Sequence, residues 1–559
     1  MRNDTIRDLR IWLAAALVGL LAQGCGGGDR PGAVVQTRSG AVQGVEREEV
    51  QTFLGIPFAA PPLGALRWRP PRPPEPWSGV LAADEAGPVC HQKVFFFERG
   101  EEDCLYLNVW TPDPKPEARR PVMLWIHGGG FIVGDGMMGT DGARLAERGD
   151  AVVVSMNYRL GALGFLAHPA LSGEDPGQPA SGRSSGNYSS GNYSSGNYGF
   201  LDQIRALEWV RDNIDGFGGD PARVTIFGES AGGLSVCAHL ASPLSKGLFH
   251  RGIVESGPCH FPFASLEAAE GQGLALSGKL GCGDEADSDL LACMRSRTPG
   301  EILEALPPNP AFAFGENEPS WFPVLDGHAF TEQPTARYAS GDFNRVPVIN
   351  GSNGDEGTLI VMLSHEYQLA PLQRSQYIDR LLYLLGTLDK ARRVAARYPL
   401  DAYERPGAAL SEAFGDGFFR CSTRRVTELL GRHVPTWSYV FDYSEARSGL
   451  PAVVELGAHH GAEIQYVFQR PNSPFTSEFS GEEQKLADRM LTYWTRFAHS
   501  GDPNVKRLPE WPEYGSSGAD LVLDLDITTR KGFDDETCAF WNELDYARAP
   551  LGEYLQARE

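Results

Sequence analysis

Two apolar runs restrict the fold this chain can adopt: residues 121–126 and 151–156 are hydrophobic but for Ser155 and show no alternation with polar positions. A strand with one wet face alternates, so an unbroken run marks a strand covered on both faces. Each run stops abruptly. The first ends at His127-Gly128-Gly129-Gly130-Phe131, the second at Asn157-Tyr158-Arg159, and a third, at residues 224–227, at Gly228. Between the second and third, Ile204, Leu207, Val210 and Ile214 fall on one helical face after Asp202. Residues 250–255, 346–350 and 437–441 are further strand candidates, and residues 102–110 alternate as a strand. Strands and helices in alternation predict an α/β chain with a large, mostly parallel central sheet flanked by helices. Proline-rich residues 57–76 are expected as an extended surface wrap around Arg67-Trp68-Arg69. Residues 482–499 place Leu486, Met490, Trp494 and Phe497 on one helical face, with Gly501 as the stop. Helix-rich stretches at 266–333 and 366–432 break the rhythm, and insertions of that kind cap the strand ends where ligands bind.

The chain has 559 residues, 42% of them hydrophobic, enough for one large domain, expected over residues 34–559. A net charge of -22 argues against nucleic acid, whose phosphates need a basic face. Residues 1–10 carry three arginines against two aspartates, and residues 11–22 are apolar throughout. That run is shorter than the roughly 20 residues needed to cross a bilayer. Residues 1–25 therefore fit a signal peptide, and the segment up to Cys25 resembles a bacterial lipoprotein signal whose cysteine is lipidated. Ala22 stands where leucine is usual in that signal. The expected product is exported, either anchored to a membrane through Cys25 or free in the periplasm or medium, with residues 26–33 as a flexible tether.

Nine cysteines in an exported chain suggest disulfides. With Cys25 set aside, spacing pairs Cys90 with Cys104 and Cys282 with Cys293. A Cys421 to Cys538 bridge would close a long loop, for which chain-entropy models give about 4–5 kcal/mol. Cys237, in an apolar helical run, reads as a small buried hydrophobe, and Cys259 has no assigned partner. A Ser-Ser-Gly-Asn-Tyr unit occurs three times from Ser184 and reads as a flexible loop lengthened by duplication.

The third apolar run carries the chemistry. Gly228-Glu229-Ser230-Ala231-Gly232 follows a strand and precedes a helix, the arrangement of a nucleophile elbow with Ser230 pushed out of the backbone path. A serine hydroxyl needs a base, a group to orient that base, and donors for the oxyanion. The N–H of Ala231 and those of Gly129 and Gly130 are the candidate donors. Base and acid follow the serine in chain order. His459 and His460 are adjacent and spacing does not separate them; Asp355, Glu356 and Asp442 all qualify as the acid.

These motifs, together with residues 53–57, 102–108, 197–203 and 217–221 and with Cys538-Ala539-Phe540-Trp541, resemble the type B carboxylesterase and lipase family, the cholinesterase-like α/β-hydrolases. The resemblance runs from about Val34 to the C-terminus. It implies an α/β-hydrolase fold with helix-rich insertions over the active site, and a Ser230, Glu356 and His460 triad without metal or cofactor. It also implies Glu229 as an electrostatic neighbour of the nucleophile, and it supports the three disulfides. The Cys90 to Cys104 loop has Phe95-Phe96-Phe97 but no tryptophan, whereas cholinesterases hold quaternary ammonium on a tryptophan there. Choline esters are therefore not the expected substrates. The expected function is hydrolysis of a small-molecule carboxylic ester through an acyl-enzyme, with rate rising through the histidine titration near pH 6 to 7. A lipase acting on longer acyl chains is the alternative enzyme, and a catalytically silent binding module is the alternative from another class.

Overall fold

The computed structural model describes residues 30–47, 49–94, 97–174, 195–283, 287–307, 321–366, 371–448, 453–471, 478–532 and 534–544. The signal segment with Cys25, Phe95 and Phe96, and the first two copies of the repeat lie outside these residues.

The uninterrupted apolar runs become strands buried along their length. Every residue of Val152–Met156 is buried, as is Arg120–Ile126 from its second position onward. Thirteen strands of the described chain join one sheet. In chain order they are β1 (Arg30–Gln36), β2 (Ala41–Arg47), β3 (Val50–Pro57), β4 (Val80–Ala82), β5 (Tyr106–Thr111), β6 (Arg120–Ile126), β7 (Val152–Met156), β8 (Gly219–Glu229), β9 (Arg251–Glu255), β10 (Val348–Asn353), β11 (Thr436–Phe441), β12 (Ala519–Leu523) and β13 (Thr528–Lys531). Across the sheet they run β1-β2-β3-β5-β7-β6-β8-β9-β10-β11-β12-β13, with β4 beside β2. From β7 to β12 every neighbouring pair is parallel. The chain leaves β6 for β7 on one side and then returns to lay β8 on the other, so the loops after β6 and β8 part there. In an open α/β sheet, that reversal is where ligands bind.

Helices α1 (Tyr198–Asn213), α2 (Ala231–Ala241), α3 (Pro406–Phe414), α4 (Cys421–Leu430) and α5 (Gly481–Ser500) supply the layers that matter for the site. The two-residue period of a strand splits the core. Val122, Leu124, Ile126, Val224 and Ile226 pack with α1 and α2 on one face. Trp125, Phe227, Ile253, Ile349 and Trp437 pack with α5 on the other. A third cluster joins α3 and α4 to Cys538, Trp541 and Leu544 near the C-terminus. Helix α5 begins with a capping box between Ser480 and Glu483 and ends at Gly501 with φ 78°, so its stop is where the sequence placed it.

Four expectations need correction. Residues 30–33, assigned to a tether, belong to β1, where Arg30 and Pro31 pair with β2 ahead of a bulge. The proline-rich wrap is not a surface feature at its centre: Trp68 is buried and donates to the Ala162 carbonyl at 2.9 Å, and Arg67 is buried in an ion pair with Glu102. Residues 102–105 precede β5 rather than forming part of it. Cys237 is buried as expected, but it is bonded to Cys259, a fourth disulfide beside the three predicted. Its partner lies just after β9, a contact between neighbouring elements that sequence separation did not indicate.

Candidate active site

Ser230 joins β8 to α2 with φ 58° and ψ -118°. An L-residue held in that region costs about 1–3 kcal/mol, so the surroundings must impose it. They do so by close backbone packing. A Cβ on Gly232 would lie 2.0 Å from the carbonyl oxygen of Ile126, at the end of β6. The Ser230 N–H donates to the Glu255 carbonyl at 2.9 Å, which pins the turn to β9. The glycine loop after β6 lies against the same turn, since a Cβ on Gly128 would be 3.2 Å from that of Ser230. Gly129 and Gly130 have φ of 98° and 62°, and Ala231 is the first residue of α2, where backbone N–H groups have no partner within the helix.

Of the open alternatives, the structure brings together Glu356 and His460. The Nδ1 atom of His460 lies 2.5 Å from Glu356 Oε2, and the other oxygen of this fully buried carboxylate accepts the Asn353 N–H at 2.8 Å. Asp355 is exposed and its carboxylate accepts the Ala458 N–H at 2.9 Å instead. Asp442 is also exposed, and His459 turns its Nδ1 to the Gly457 carbonyl. A backbone bridge between Asp355 and His459 ties the acid loop to the histidine loop. The far nitrogen of His460, Nε2, lies 3.2 Å from Oε1 of Glu229, and Phe419 packs on the ring with centroids 4.6 Å apart.

Charge shifts follow from this crowding. Burial raises the Glu229 carboxyl to about 7, with His460 opposing the rise and Glu356 adding to it. For His460, burial works against the proton, yet Glu229 and Glu356 together outweigh it and raise the group to about 9. A titration near pH 6 to 7, expected for an ordinary histidine, therefore moves upward.

Sequence reasoning missed the acids beneath. Glu255 and Glu463 are fully buried; Glu463 accepts from Asn353 Nδ2 at 2.5 Å and Glu255 from Trp494 Nε1 at 2.8 Å. A glutamate directly after Ile253-Val254, at the end of a strand candidate, was the available signal.

Residues 31–177 and 186–541 match the model of the carboxylesterase family. The chain belongs to that family. Over 519 residues this carboxylesterase is 36% identical to a fumonisin B1 esterase from Sphingopyxis macrogoltabida, covering 90% of this chain and 88% of the relative. It is 35% identical to carboxylesterase 1E from Rattus norvegicus, covering 96% and 98%, and 34% identical to an acetylcholinesterase from Bungarus fasciatus, covering 91% and 86%. Among solved structures it resembles a PNB esterase with TM-score 0.75 and 32% identity, over 91% of this chain and 99% of the other. The fold is that of an α/β-hydrolase, and the chain is a carboxylic ester hydrolase.

Proposed function

We propose that this carboxylesterase hydrolyses small-molecule carboxylic esters through an acyl-enzyme on Ser230, with His460 as base and Glu356 as the group that orients it. The observation that supports this most directly is the buried contact of 2.5 Å between Glu356 and His460 Nδ1. With Nδ1 donating to Glu356, Nε2 is the nitrogen that would take the proton of Ser230, and the carboxylate stabilises the imidazolium once formed. Ser230 loses its proton to His460 as it attacks the ester carbonyl. The N–H groups of Gly129, Gly130 and Ala231 receive the oxyanion, the alcohol leaves with the proton from His460, and water then hydrolyses the acyl-enzyme by the same steps.

Covalent labelling by a fluorophosphonate tests the assignment. Ser230→Ala should fold, fail to label and lose turnover; labelling retained in that variant would reject Ser230. A panel of p-nitrophenyl esters of graded chain length then measures acyl preference, and a rate that climbs with long chains would favour a lipase.

We also propose export, with Cys25 as the lipid-bearing residue. Four disulfides among the described residues fit an oxidising compartment. Labelled palmitate should be incorporated by the full chain and not by Cys25→Ala.

A further inference from the structure

One row of residues crosses the sheet directly beneath the serine. Glu229 of β8 is the register partner of Glu255 in β9, Glu255 that of Gly351 in β10, and Gly351 that of Tyr439 in β11. Register partners on parallel strands point to the same face, here the one covered by α5. A Cβ on Gly351 would lie 2.1 Å from the Tyr439 ring, so the tyrosine leans across the glycine along the row. Trp494 of α5 closes it from above by donating to Glu255 Oε1 at 2.8 Å. The other oxygen of Glu255 is buried without a hydrogen-bond partner, and so are Glu229 Oε1 and the Tyr439 hydroxyl. Glu463 joins from the loop after His460, near Ser256 and Asn353.

Charge balance limits what this row can be. Glu229, Glu255, Glu356 and Glu463 are all buried, and among the described residues their ion pairs all end on His460. Ionising all four against one imidazolium would leave three uncompensated negative charges out of contact with water. A buried carboxyl in that position keeps its proton.

Building on the proposed roles of Ser230 and His460, we propose that Glu255 is a positioning residue held as the neutral acid: beside Glu229 in the row, it keeps its proton and so confines the negative charge facing His460 to Glu229 and Glu356. The groups around it agree. Burial first, then Glu229, raises Glu255 to about 8 against the bond from Trp494, while Glu463 and Tyr439 are pushed well above their ordinary values. Glu255 thus loses its proton in the same range as His460. As it ionises, the added charge strengthens the hold of His460 on its own proton.

Infrared difference spectroscopy between the wild type and Glu255→Gln reads this directly. At pH 7 the wild type should show a carbonyl band of a protonated, unhydrated carboxylic acid that the variant lacks, and the band should fade as pH rises through 8. A difference confined to carboxylate bands would overturn the proposal. The rise of kcat/KM with pH should be drawn out in the wild type and steepen in Glu255→Gln, where Glu229 is left to titrate beside His460; identical shapes would show that Glu255 does not act on the base. Trp494→Phe removes the bond that favours the anion, so the band should persist to higher pH, and an unmoved midpoint would count against the assignment even if Glu255→Gln failed to fold. Recording the band in Ser230→Ala separates this proposal from the identity of the nucleophile.

Discussion

At His460, burial and charge act in opposite directions, and charge prevails. An imidazole sealed from water should lose its proton early, yet carboxylates at both nitrogens hold it to about pH 9. The proposed role of His460 as base needs the neutral ring, so kcat/KM should rise with pH along a limb above the ordinary histidine value. Glu229→Gln removes one of the two anions. An anion this near a cation shifts its titration by about one to three pH units, so the limb should move down by about one unit or more in a pH–rate profile. The position of Ser230 was legible in the sequence because its conformation is local: an apolar strand, a glycine, the serine and a second glycine. The choice between His459 and His460 was not legible in the spacing, and only the family resemblance pointed to His460. It depends on which ring meets Glu356, a contact across 104 residues.

Between elements, the acid loop is held by a segment that the sequence marked only as helix-rich. A π-helical turn, Gly415–Arg420, lies between α3 and α4 and carries Phe419 onto the His460 ring. At its end Arg420 donates to the Gly354 carbonyl at 3.1 Å, two residues before Glu356, and pairs with Asp416 and with Asp534 of the tail. Arg420 is partly buried, with 19% of its side chain exposed, so losing these pairs costs less than the ~3–5 kcal/mol of a fully buried pair. Arg420→Gln should accordingly lower Tm in calorimetry and reduce kcat more than it raises KM, because the acid loosens while the pocket stays. The Cys237–Cys259 bridge secures the other side by tying α2 to the segment after β9. A loop of that size is worth about 3 kcal/mol in the chain-entropy model, so the double variant Cys237→Ala/Cys259→Ala should unfold at lower guanidinium concentration. The buried parallel strands were readable as apolar runs. β13 was not, since Thr528–Lys531 is exposed throughout and carries no core pattern.

For the whole molecule, the buried acids set the sign of the pH dependence of stability. Glu255 keeps in the folded state a proton that the unfolded chain sheds above 4.5, and gives it up only at about 8. Glu463 is raised in the same direction, and His460 holds from 6.5 to about 9. In each case the folded state binds more protons, so stability falls as pH rises across these windows. A net charge of -22 adds repulsion with the same trend. Buried His127 and His239, held below the ordinary 6.5, work the other way at acid pH, so the trend set by the row is seen alone only above that value. Tm should decline from about pH 7 to pH 9, and a Tm that climbed over that range would contradict the charge states assigned to the row.

Helix α5 covers the sheet face on which those acids lie, and it is made of residues 481–500. During synthesis the strands carrying Glu229, Glu255 and Tyr439 leave the ribosome long before Trp494 does. Until then the row stands open to water and its glutamates ionise like any others. A nascent chain therefore repels itself at the very place that later becomes its reactive centre, and the enzyme gains its protons only when its last long helix arrives. Under the export proposed above, such a delay is useful: the floor of the site forms only on the far side of the membrane, in whatever acidity that compartment provides.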